Sequence, residues 1–268
     1  MPLVLGGAAL AIIAALAVAG IWSTPYDSTA FAVRLRLAPP AWAHPFGTDE
    51  FGRDVLSRVM AGAHLSLAIG FGAMGISLTI GVPLGLIAAF HRGLVDEAIC
   101  RVVDLLISLP PVLLGLLILA VTPPGLGKTI AAVGIVYVPI LVRLTRAVAL
   151  GLLQEDFIQA AKARGEGAAS ILWREVLPNA WPPIIVECGL RVTFAILLGS
   201  ALSFLGLGPQ PPSSEWGLMI AESRQFLEQA PWIGLAPGAC LCVLLLAVNL
   251  VGEGLRQLLD PALSGRHG

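Results

Sequence analysis

His44, Asp49, Glu50 and Asp54 bring one imidazole and three carboxylates into a single short stretch, the donor types a divalent cation would use. The imidazole stands alone, however, and the acids sit where a helix start would employ them. Thr48 or Asp49 would cap that helix, with Arg53, Asp54 and Arg58 on its exposed turns. The stretch therefore reads as a capped helix and not as a metal centre. Gly127-Lys128-Thr129 ends like a phosphate-binding loop, but the position of that motif's first glycine is Thr122, and no buried strand leads into it. It reads as a tight turn that binds no nucleotide. Arg143 and Arg146 lie toward the end of an apolar run and read as snorkelling or as pairing with loop acids. Glu187 and Arg191, at the start of another run, share a helix face and can pair. Cys100, Cys188, Cys240 and Cys242 have neither zinc nor disulfide spacing and read as small packing residues. No nucleophile, base and orienting group stand together, so the chain reads as a non-enzyme that uses no cofactor and no metal.

The elements that carry these groups are dictated by composition. Of the 268 residues, 57% are hydrophobic and 12% charged, with a mean hydropathy of +0.87. A soluble domain carries about a quarter charged residues, so this chain cannot cover itself against water and belongs in lipid. A net charge of −1 gives no basic footprint for nucleic acid. The expected fold is all-α and polytopic, with about six transmembrane helices near residues 3–22, 65–90, up to 121, 129–150, 184–205 and 233–251. Pro110 and Pro111 would kink or restart the third. The first run lacks a basic flank, exceeds the length of a signal-peptide core and ends on Trp22, which suits a retained span with an interfacial anchor. Gly81 and Gly85 form a GxxxG pair that favours close helix packing. The chain thus divides into a first helix (1–22), an external segment (23–64), a five-helix core (65–251) and a tail (252–268).

Within the core, residues 154–180 form a charge-rich segment still built of helix formers, and so a structured loop. The order is an acidic start, a small-residue helix at Gln159, Ala160 and Ala161, a glycine break at Gly165 and Gly167, and a second helix stopping at Leu177 and Pro178. That reads as helix, turn, helix. Both glycines permit the backbone angles of a reversal, and Pro178 lacks the amide needed to continue. At these residues the chain resembles the cytoplasmic coupling loop of ABC-importer membrane subunits, with Gln159 in place of the family's glutamate.

A more specific string runs from His44 to Arg58: His-Pro, Gly-Thr-Asp, Gly-Arg-Asp and Ser-Arg. With Ser203 to Gly208, Glu215-Trp216-Gly217, Ala230-Pro231-Trp232, Asn249 to Gly252 and Leu259-Asp260-Pro261, it resembles the C-type inner-membrane permease subunits of dipeptide, oligopeptide and nickel ABC importers. The resemblance implies a multi-pass protein of the bacterial inner membrane. It further implies a homologous second permease subunit, two cytoplasmic ATP-binding subunits and an extracytoplasmic substrate-binding protein as partners. Cargo would be a di- or oligopeptide, or a related solute such as nickel or a metallophore. The loop residues Gln159, Ala160, Ala161, Gly165, Gly167, Leu177 and Pro178 would receive the ATPase, while segments 23–63 and 206–232 would face the binding protein.

With that loop in the cytoplasm, ten basic residues fall on its side and six opposite, a modest positive-inside bias. The alternative, an ion-gradient-driven secondary transporter, would place ionisable groups near span centres and broken helices in matching halves. In the sequence the charges cluster near the predicted ends.

Overall fold

The computed structural model describes residues 2–259; the Asp260-Pro261 motif, Arg266 and most of the expected tail lie outside them. The helices are α1 (Pro2–Trp22), α2 (Val55–Phe90), α3 (Leu94–Ile107), α4 (Pro111–Ala120), α5 (Leu126–Leu152), α6 (Asp156–Ala163), α7 (Ala168–Ser170), α8 (Leu177–Phe204), α9 (Trp216–Ser223) and α10 (Trp232–Leu259). No strand occurs among the described residues; one isolated bridge joins Thr48 and Asp54. Five helices are long and apolar enough to cross a membrane, and α3 with α4 makes a sixth, broken candidate. That agrees with the expected all-α polytopic fold.

The third span is two helices meeting at 93°. Pro110 excludes helical backbone for Leu109, and Pro111 opens α4, where its missing amide costs nothing. The prolines therefore end one helix and start another, deeper in the span than the sequence indicated.

α2 packs along α5, and its glycines set the spacing. A Cβ at Gly81 would lie 2.8 Å from that of Leu141, and one at Gly85 2.8 Å from the carbonyl oxygen of Val142. α5 is thus the helix that the GxxxG pair admits. Ser77 Oγ donates to the Gly134 carbonyl at 2.7 Å across the same seam, a polar tie that lipid cannot replace. α8 and α10 complete the bundle, while α1 lies at its margin against α2 and α10.

The helix expected from a cap at Thr48 or Asp49 begins instead at Val55 and runs unbroken through the 65–90 span, because Asp54 caps it: Asp54 Oδ2 accepts from the Ser57 amide at 2.8 Å. The cap is thus neither Thr48 nor Asp49. α8 starts early. The segment Ala168–Phe204 is a single apolar helical run, so Leu177 and Pro178 do not stop it. Residues Ile171–Val176 form π-type turns, and Pro178 then sits in the first turn of α8, where no intrahelical amide is required. Pro182 and Pro183 lie inside α8. The carbonyls they leave free belong to Pro178 and Asn179, both exposed and able to find other partners.

Candidate functional site

The loop joining α5 to α8 is a compact knob, built from the sequence in three steps. α6 ends in a Schellman motif: the Gly165 amide donates to Lys162 O at 2.9 Å and the Glu166 amide to Ala161 O at 3.2 Å. Gly165 takes φ +77°, the left-handed geometry this motif requires. Gly167 does not share that duty. Its φ is −73°, and it opens α7 as an ordinary extended residue, so one glycine makes the reversal and not two.

Glu166 then fastens the turn to α7. Arg164 donates to it from Nε at 3.0 Å and from a terminal nitrogen at 2.6 Å, and Ser170 Oγ donates at 2.9 Å. Those hydrogen bonds, Arg164's first, hold the Glu166 carboxyl below the ordinary glutamate range. Finally, the inner face of the knob is apolar. Ile158, Ala161, Ile171, Leu172, Val176 and Leu177 are buried in the main core cluster.

The expected site residues divide accordingly. Ala161 and Leu177 are buried against the bundle, whereas Gln159, Ala160, Gly165, Gly167 and Pro178 are exposed. Gln159 Nε2 donates to Leu153 O at 3.4 Å, so the amide that replaces the family glutamate turns back on its own chain. A polar groove of about 400 Å³, lined by Arg92, Gln154, Gln159 and Lys162, adjoins it. Phe157 and Trp173 are also exposed here, two aromatics that sequence patterning does not single out, because apolar residues in a short helix default to its buried side.

At the opposite end of the bundle the string from His44 to Arg58 folds as one unit. Asp49 Oδ1 accepts the amides of Phe51 and Arg53, each at 2.9 Å. Its Oδ2 accepts Arg53 Nε at 2.6 Å and Arg58 Nη1 at 2.8 Å. His44 Nδ1 lies 2.9 Å from Asp54 Oδ1. Arg53, Asp54 and Arg58 are therefore buried, not on exposed turns. The second motif block closes on the first. Arg58 Nη2 donates to Glu222 Oε2 at 3.0 Å and to Ser213 O at 3.2 Å, and the indoles of Trp216 and Trp232 donate to Val59 O and Thr48 O. Glu215 caps α9, accepting from Gly217 and Leu218 at 2.9 Å. Burial pushes the Glu215 carboxyl up, with those two amides opposing. Burial, reinforced by the Asp49 and Glu222 charges, likewise raises Glu50. What looked like metal ligands are the anions of an ion-pair clasp, and no group of three or more such donors able to hold a metal occurs among the described residues.

Between the two ends, Arg143 pairs with Asp104 and Arg146 with Asp96, each at 2.6 Å; the acids come from α3 and not from the 154–180 loop. Glu187 and Arg191 pair as expected, Nε to Oε1 at 2.5 Å. Because α8 starts at Leu177, this pair sits at mid-helix. Lys128 and Thr129 lie in the first turn of α5, with Thr129 Oγ1 donating to Gly125 O at 3.1 Å, in a helix start that no strand precedes.

Residues 81–265 match the model of the family described as binding-protein-dependent transport system inner membrane component. The chain is 45% identical over 226 residues to a dipeptide transport system permease protein, DppC, of Alkalihalophilus pseudofirmus, covering 84% of this chain and 74% of that protein. It is 43% identical over 248 residues to a di/tripeptide transport system permease protein of Pseudomonas aeruginosa, covering 90% and 82%. Among solved structures, a chain of the MetNI methionine ABC transporter in an inward-facing conformation superposes with a TM-score of 0.63 at 16% identity, over 76% of this chain and 96% of that one. At that identity the likeness establishes the fold.

Proposed function

Because the chain belongs to the family of binding-protein-dependent transport system inner membrane components, as a permease subunit of an ABC importer, we propose that its 154–176 knob is the part an ATPase subunit grips. The cargo is a short peptide. The observation that carries the coupling role is the two-sidedness of α6. Ile158 and Ala161 are fully buried in the bundle core, while Phe157, Gln159 and Ala160 face outward on a short helix whose exit is fixed by the Schellman turn. Force applied to the outer face passes through packed side chains into α8 and from there into α2 and α10. Binding or hydrolysis of nucleotide on the partner moves the bundle only insofar as the partner grips its two facing states unequally. A second, homologous membrane subunit completes the path, two ATPase subunits sit beneath, and the segments 23–63 and 206–232, tied together by the clasp, receive a substrate-binding protein. The peptide assignment comes from what the relatives' names say they carry.

Gly165→Pro removes the left-handed turn, and Ala161→Glu forces a charge into a fully buried site. Each is expected to abolish uptake in the assembled transporter at unchanged membrane abundance. Normal uptake by either variant would refute the coupling role.

A further inference from the structure

Neither the knob nor the clasp gives a task to the ion pair at the middle of α8. α8 runs from Leu177 to Phe204, 28 residues, so Arg191 lies about 20 Å from either end at 1.5 Å per residue. A ~30 Å hydrocarbon layer centred on α8 would hold Arg191 near its middle. Glu187, Leu190, Arg191, Phe194 and Leu197 fall on one strip of the helix, turned away from the buried face that carries Ile184, Cys188, Val192 and Ala195. The side chains of Arg191 and Glu187 are 30% and 23% exposed.

Only Nε and Oε1 are engaged in the pair. The terminal nitrogens of Arg191 and Oε2 of Glu187 make no hydrogen bond among the described residues, and hydrocarbon offers none. A helix break lies nearby: Leu106, just before the 93° bend between α3 and α4, packs on the cluster holding Tyr137 and Ala195, the latter one turn beyond Arg191. An interrupted span beside an ion pair whose outer nitrogens are free is the combination found at midplane binding sites of transporters.

We propose that Arg191 is a carboxylate subsite in the translocation path, taking the C-terminal carboxylate of a passing peptide on its free terminal nitrogens. Glu187 positions the guanidinium through Nε. Its charge also weakens the hold on the ligand, as a conduit requires if cargo is to leave. The inference rests on the peptide-permease reading above.

The test uses the assembled transporter in nanodiscs, with Cys100, Cys188, Cys240 and Cys242 replaced by alanine and a reporter thiol introduced by Phe194→Cys. A water-soluble anionic methanethiosulfonate should modify the reporter. Dialanine at saturating concentration should slow modification, while C-terminally amidated dialanine should not. Adding Arg191→Gln should weaken the dialanine protection by about 10- to 100-fold, the loss of one charge-assisted contact, with the other subunits still co-purifying. An unreactive thiol, equal protection by both peptides, or loss of the second membrane subunit from the Arg191→Gln complex would overturn the subsite, the last by making Arg191 an interface residue. A wild-type complex that hydrolyses ATP with its binding protein but imports no peptide would instead overturn the peptide reading itself.

Discussion

Arg58 is fully buried and still finds an anion on each side, Asp49 at 2.8 Å and Glu222 at 3.0 Å. Burying a charge is favourable only with partners this close, and removing one member strands the others. Arg58→Ala is therefore expected to cost about 3–5 kcal/mol, read as a lowered unfolding temperature in detergent and as protease nicking of residues 23–54. Arg143→Ala, which breaks a pair more than half exposed on both sides, should cost no more than about 1 kcal/mol in the same assay. Equal effects would show that the clasp does not hold residues 23–54. The motif that carries Arg58 was plain in the sequence, but its burial was not. A charged side chain is placed on the surface by default, and one of the two anions that reverse this for Arg58, Glu222, lies 164 residues away. The Arg191 pairing with Glu187 is fixed by spacing alone, whereas its place at mid-helix depends on where α8 begins.

Gly165 and Gly167 give a contrast between neighbours that had seemed equivalent. Gly165 has φ +77° and Gly167 has φ −73°, with nothing within 4 Å of an added Cβ at either. Alanine at 165 meets only backbone strain and should cost about 1 kcal/mol, whereas alanine at 167 should be neutral or slightly stabilising. Thermal unfolding of the two variants checks this, and matching losses would mean the reversal is shared after all. Element existence was legible because apolar runs of about twenty residues admit few alternatives. Element boundaries were less so, and the errors have local causes. The cap fell at Asp54, five or six residues after Asp49 and Thr48, because the Asp49 carboxylate is taken up by Arg53 and Arg58. At the other helix the π-type turns over Ile171–Val176 lead without a break into α8, whose first turn takes Pro178, and the carbonyls that Pro182 and Pro183 leave free are exposed. The adjoining Pro110 and Pro111 did break their span, since there each proline fell where a new first turn could form.

On the scale of the whole molecule, the knob and the ion-pair clasp occupy opposite ends of one continuous apolar core. Ile158, Ala161 and Val176 at one end belong to the same cluster as Val55, Trp216 and Ile233 at the other. A close-packed interior deforms little, so the proposed coupling would carry a displacement of the knob as rigid-body motion of α2, α8 and α10 rather than absorb it within the loop. This separates folding of the knob from its use. Ala160 is exposed on α6 while its neighbour Ala161 is not, so bulk added at 160 meets a partner and not the core. Ala160→Trp is thus expected to leave the isolated subunit's unfolding temperature within a degree or two, since surface changes stay within about 0.5 kcal/mol, yet to lower ATP-driven uptake at least tenfold in the assembled transporter. Co-purification of the ATPase subunits should fall with uptake, because the obstruction lies between the chains. Should uptake persist with the tryptophan in place, the partner does not seat on this face of α6. Should stability collapse, Ala160 is not the free surface that its exposure in the lone subunit indicates.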